Sequence, residues 1–279
     1  MIAGISRYLI RTDDCGVSLA KGQTPAVCTL ANRGEANGRS CASICLMKHV
    51  RLIRHGESAA NTGEASLDHA NIPLTLKGVE QAHLVAHSFT QAPALIIASS
   101  FSRAQVTAMA TVNAFSTVPL DTWDIHEFTY LETARCANTT VLQRRNWVEA
   151  YWAKSDPTFT DGAGAESFLD FIFRVQSFLD QLAKHPAQDI AVFSHGQFIN
   201  AVAWMIKRKP EVLDAAAMAE WREYDITNHV PNCRGYLLYR HPDDVAWKAG
   251  PQMGPDGSCS RDQQVSLHAL GSIGHSSNG

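Results

Sequence analysis

Short apolar runs that stop abruptly at polar residues, separated by stretches of helical periodicity, constrain this chain more than any other feature. Residues 49–54 ("HVRLIR"), 94–99 ("ALIIAS") and 189–194 ("DIAVFS") are too short for buried helices and read as strands. Helical stretches fall at 73–91, about 103–115, around 139–153, 166–184 and 197–207. The strongest is 166–184, where Phe168, Phe171, Ile172, Val175, Phe178 and Leu182 recur at i, i+3, i+4 spacing. In 73–91 the expected core face is Leu76, Val79, Leu84 and Phe89. Residues 119–135 read as irregular, and 235–241 with 244–249 as a late strand pair. Alternating strands and helices predict a three-layer α/β/α domain over 47–249, with a mainly parallel central sheet covered on both faces.

The flanks differ in kind. Residues 1–46 are rich in Gly, Ser, Thr and Asn and lack a sustained period. They read as a disordered extension, or as residues upstream of a true start at Met47. Residues 250–279 read as a flexible polar tail. Seven cysteines, an odd number, with no export signal point to reduced thiols and a cytoplasmic location. Cys15, Cys28, Cys41 and Cys45 lack paired C-x2-C knuckles and read as unrelated thiols, not a zinc site. A formal charge of −3 leaves no footprint for nucleic acid or an anionic membrane surface. No apolar stretch approaches the roughly 18–20 residues of a membrane span. An anion site in this chain must therefore be a local cluster.

Such a cluster is visible where the apolar runs end. Arg54-His55-Gly56 follows the first strand, and His195-Gly196 follows "AVFS". Arg103, in "ASSFSRAQVT", lies where the second strand gives way to a helix. Ligands of parallel sheets bind beyond the carboxyl ends of the strands. Imidazole is a competent nucleophile near neutral pH, and guanidinium offers a planar fork that matches phosphate oxygens. Backbone N–H groups at helix starts add positive potential. Phosphate is the simplest ligand for this set. Cationic neighbours would also hold His55 unprotonated, while a carboxyl acting as an acid needs burial or aromatic neighbours such as Trp123, Phe128 and Tyr130.

"LIRHGES", "SSFSRAQVT" and "FSHG", in this order over roughly residues 47–240, resemble the histidine phosphatase superfamily, also called phosphoglycerate mutase-like. The resemblance implies that fold, and His55 as a nucleophile that becomes phosphohistidine. Arg54, Arg103 and His195 would hold the phosphoryl group, with Ser58, Asn61 and Gly196 beside them and Asn61 donating to phosphate. Glu127 would be the general acid/base, with Glu132 as fallback, while Glu166 and Arg174 would be structural. His69 precedes the family's P-L-T helix, where substrate loops lie. Tyr130 stands three residues after Glu127, as in the mutase pattern. Arg144 and Arg145 read either as a solvated helix face or as a clamp for a substrate carboxylate or second phosphate. No metal or cofactor is called for, because arginines would supply the electrostatic stabilisation.

The implied activity is a metal-independent phosphatase acting on a small phosphomonoester or a phosphoprotein. The alternative is phosphoglycerate mutase-type transfer, and a third reading is a non-catalytic phosphate-binding module. Against the mutase, Ala60 occupies the place where that branch carries Trp before the Asn, and "EFTYLETARC" lacks its Gly-x-x-Gly continuation.

Overall fold

A computed structural model describes residues 47–244, 246–256 and 258. The amino-terminal extension with its four cysteines, and most of the expected tail, lie outside the described residues. Six strands form one sheet in the order β3-β2-β4-β1-β5-β6. They are β1 (Lys48–Arg54), β2 (Leu95–Ser99), β3 (Leu120–Trp123), β4 (Asp189–Ser194), β5 (Gly235–Arg240) and β6 (Lys248–Met253). The first four run parallel, β5 pairs antiparallel with β1, and β6 pairs antiparallel with β5. Seven helices accompany them among the described residues. These are α1 (Leu76–His87), α2 (Ser102–Ala114), α3 (Thr133–Cys136), α4 (Arg145–Lys154), α5 (Phe168–Lys184), α6 (Gly196–Arg208) and α7 (Ala215–Thr227).

The apolar runs are continuous because the sheet is buried on both faces. Val50, Leu52, Leu95, Ile97, Ile190 and Val192 point to one side, where α5, α6 and α7 supply Phe171, Val175, Phe198, Val202 and Trp221. Ile53, Ile96, Ala98, Ala191 and Phe193 point to the other, where Val85 of α1 and Ala108 of α2 meet them. Helix α5 begins with a reciprocal cap: Ser167 Oγ accepts from Asp170 N at 3.1 Å, and Asp170 Oδ2 accepts from Ser167 N at 3.2 Å. At its other end the buried Lys48 ammonium donates to Leu182 O at 2.9 Å and to His185 O.

Of the expected core face of the first helix only Phe89, just past the helix end, packs against the core. Leu76, Val79 and Leu84 are exposed, and α1 instead buries Gly78, Ala82, Val85 and Ala86. The reason is close approach. A Cβ at Gly78 would stand 2.0 Å from Glu57 O, and one at Gly56 would stand 2.4 Å from Gly78 O. Only small residues let the helix lie directly on the loop that follows β1.

Other boundaries moved as well. Helix α4 starts at Arg145, not near 139, after a run of turns. The irregular stretch 119–135 holds the edge strand β3 and the start of α3, which are too short to carry a periodic signal. Helix α7 was not expected, because its run of alanines and charged residues has little amphipathic contrast. The last strand spans Lys248–Met253, not 244–249, so ordered structure passes the expected domain end at 249. Its pairing with β5 carries a bulge between Tyr236 and Leu238, and a bulge shifts register in a way no local pattern reports.

Candidate active site

Register places the candidate residues together. Arg54 pairs with Ser194 across β1 and β4, and Ala98 pairs with Phe193 across β2 and β4, so three strands end at one level. His55 and His195 each follow their strand by one residue, and their ring centroids lie 5.2 Å apart. Arg103, in the first turn of α2, donates from Nε to His55 Nε2 at 3.2 Å. These four side chains are all buried.

The hydrogen bonds fix the state of His55. Its Nδ1 lies 2.7 Å from Gly56 O, which can only accept, so Nδ1 carries the proton. Arg103 can only donate, so Nε2 presents a lone pair. Burial, then the Arg103 and Arg54 charges, hold the imidazole well below its usual titration range. Burial and Arg103 push His195 in the same direction. His195 Nε2 meets Ser99 Oγ at 2.9 Å, while its buried Nδ1 has no partner.

Neither arginine of this group has a carboxylate partner among the described residues. Arg54 donates from Nη1 to Val230 O at 2.6 Å and lies 3.4 Å from His229 Nε2, and its Nε is buried and unpaired. Arg103 gives its Nη1 to His69 O at 2.9 Å. Two buried guanidinium groups that make no direct ion pair, and feel Glu127 only across space, form a site for an anion. Beside them Asn61 Oδ1 accepts from Ser58 N and Ser58 Oγ, both at 3.1 Å, and from Asn232 Nδ2 at 3.2 Å. Three donors on one oxygen settle which way the amide points, so the Asn61 NH₂ faces away from them. Gly196 opens α6 under Arg54, and a Cβ there would make ordinary contact with Arg54 Nε at 3.5 Å.

Glu127 lies across this cup, at the inner end of a cleft that it lines with His69, Tyr130, Arg144 and Gln197. Its Oε1 accepts from Gln197 N, the second residue of α6, at 2.9 Å. Burial raises its carboxyl pKa, against the pull of Arg103 and Arg54 and that hydrogen bond and with the help of Asp225. The segment that carries Glu127 is braced from behind. Arg174 binds Glu166 through Nη2 and Nε (2.6 and 3.2 Å) and donates to His126 O at 2.9 Å. Glu166 in turn accepts from Thr129 N at 3.0 Å.

The remaining expected residues separate. His69 lines the cleft with its ring edge-on to Phe101, and burial with the nearby Arg103 lowers its pKa to about 4. Tyr130 and Arg144 also line the cleft, but Arg145 turns to solvent and pairs with Glu149 at 2.8 Å. Arg145 thus follows the solvated-face reading and Arg144 does not, because consecutive helical residues face different ways. Glu132 lies over Gly162 and does not line the cleft. Of the aromatic neighbours expected around Glu127, Trp123 packs instead on Phe178 and His185. Sequence reasoning missed Ser99, Gln197, Asp225, His229 and Asn232. Ser99 ends a strand, which is a signal; Asp225 and His229 follow from the overlooked α7.

Fold and site together define a phosphoglycerate mutase-like α/β protein with a buried cationic cup at the carboxyl ends of its parallel strands. The chain belongs to the histidine phosphatase superfamily (branch 1), whose family model matches residues 50–230. It is similar to the probable phosphoglycerate mutase GpmB of Yersinia pestis, 29% identical over 166 residues that cover 56% of this chain and 73% of that protein. Its fold is shared with a putative alpha-ribazole-5'-P phosphatase from Escherichia coli (TM-score 0.55, 23% identity, 73% of this chain and 94% of that one). It is shared also with a mycobacterial glucosyl-3-phosphoglycerate phosphatase (TM-score 0.56, 20% identity, 73% and 97%).

Proposed function

We propose that the protein is a phosphatase that hydrolyses a phosphomonoester through a phosphohistidine on His55. The observation that carries this reading is the lone pair of His55 Nε2, held beside two buried arginines that lack carboxylate partners. In the first step Nε2 attacks phosphorus and the bond to the ester oxygen breaks, its electron pair leaving with that oxygen. Glu127, protonated by virtue of its raised pKa, gives the departing oxygen its proton. Arg54, Arg103, His195 and the Asn61 amide stabilise the charge on the transferring group. In the second step water attacks phosphorus and yields a proton to the Glu127 carboxylate. The P–N bond breaks, its pair returns to Nε2, and inorganic phosphate leaves.

Mutase-type transfer is the second reading, favoured by the name of the Yersinia relative. It requires the cleft to hold a second anionic group. Arg144 is the one arginine among the described residues on that wall, since Arg145 turns to solvent, and a single guanidinium there supports hydrolysis over transfer. The test is hydrolysis of an aryl phosphate in excess chelator, comparing the protein with His55→Ala, alongside isomerisation of 3-phosphoglycerate. Hydrolysis should survive chelation and vanish in the variant. Loss on chelation overturns the mechanism, and isomerisation faster than hydrolysis favours the mutase.

A further inference from the structure

The cleft that leads away from Glu127 is walled mainly by carbon: Phe128, Tyr130, Leu131, Val141 and Val148 line it. The wall is rigid, because Phe128 stacks on Phe171 (centroids 4.3 Å, 10° apart) and Tyr130 packs on Phe128 and Tyr151 at 5.1 and 4.8 Å. Several polar side chains that share it are already engaged within the protein. Thr129 Oγ1 donates to Glu127 O at 3.2 Å, and Thr133 Oγ1 donates to Gly164 O at 3.2 Å. Arg144 Nη2 donates to Thr139 O at 2.9 Å while its buried Nε has no partner, and the Gln197 amide reaches Asp225 Oδ2 at 3.4 Å. A polyhydroxylated leaving group would bring hydroxyls into this space and find few free partners, which is unfavourable for buried polar groups. An apolar body would displace water and meet a preorganised surface.

We infer that the substrate is a phosphomonoester of an alcohol with an apolar, preferably aromatic, body, not a sugar phosphate. This rests on the phosphatase reading above, and it names the leaving group that the site accepts. Because leaving-group basicity also governs rate, the comparison uses primary alkyl esters only: 2-phenylethyl phosphate against glucose 6-phosphate and glycerol 1-phosphate. The expected kcat/KM is at least about tenfold higher for the phenylethyl ester, the scale on which an apolar pocket discriminates. Val148→Asn and the rim variant Val141→Asn, which places its change on an exposed side chain, should each reduce that preference at least about threefold. Equal or faster turnover of the sugar phosphate overturns the inference and leaves the phosphatase intact. A preference that neither variant alters also overturns it, since the apolar contact would then lie elsewhere. Failure to hydrolyse any of the three esters, or an aryl phosphate, counts against the phosphatase reading itself.

Discussion

His55 and Glu127 are both buried within the field of the same two arginines, with opposite results. Burial disfavours the charged form of each, so the imidazole's pKa is lowered and the carboxyl's raised. For the arginines the two effects differ: they reinforce burial at His55 and oppose it at Glu127. Under the proposed mechanism the acid limb of kcat/KM follows His55, below the usual histidine range, and the alkaline limb follows Glu127, above the usual carboxylate range. Glu127→Gln should lower kcat for an alkyl ester by about 10²–10⁴. It should spare the first burst of 2,4-dinitrophenolate from 2,4-dinitrophenyl phosphate, whose leaving group needs no proton. A burst lost as completely as alkyl-ester turnover would remove Glu127 from the acid role. At this scale much was legible: Arg54, His55, Arg103 and His195 stand at strand ends recognisable from the residues alone. Asn232, which donates to His55 O at 2.9 Å and to Asn61, carries no local signal, because it reaches them from 171 or more positions away in sequence.

The elements show where periodicity suffices and where it misleads. Helix α5 presents six large apolar side chains on one stripe and buries them as its spacing predicts. Helix α1 presents a comparable set of apolar residues, yet it buries the small ones, because Gly78 must touch the backbone after β1. A hydrophobic pattern ranks side chains by transfer energy and is blind to how close two backbones must come. Gly78→Ala is therefore expected to cost at least about 2 kcal/mol, since the obstructing atom is a backbone carbonyl with no rotamer to change. For a domain of this size that is roughly 4–8 °C in Tm. It should also lower kcat, because the displaced loop carries His55 and Gly56. Leu84→Ala, on the exposed side of the same helix, should change Tm by less than about 2 °C. Thermal melts of both variants check the pair, and a larger loss at Leu84 would restore the expected face.

For the whole molecule, the buried neutral histidines link folding to pH. His55 and His195 lie well below the usual histidine value of 6.5, and His69 is lowered to about 4. Between about 6.5 and these folded values the unfolded chain binds protons that the native state refuses, so stability rises with pH through that window. It is fully present above about 6.5 and declines as the pH falls towards about 4. Urea melts at pH 7.5, 6.0 and 5.0 should show the midpoint falling with acid, and His69→Asn should flatten the decline. A midpoint that does not change between pH 7.5 and 5.0 would contradict the burial of these rings. Among the described residues no helix is long and apolar enough to cross a membrane.

The local order of residues by itself determined the strand–helix alternation, the two-faced burial of the strands and the identity of the cationic side chains, because each depends on neighbours within a few positions. Tertiary structure alone decided the rest. Parallel pairing brought residues 54, 99 and 194 level, and long-range contacts brought Glu127 to Gln197 N, Asp225 to Asn200 and Asn232 to His55. Folding also tied Thr129, Thr133 and Arg144 of the cleft wall to backbone carbonyls. Such ties are hydrogen bonds and contacts of the folded chain, and no spacing along it encodes which of them form.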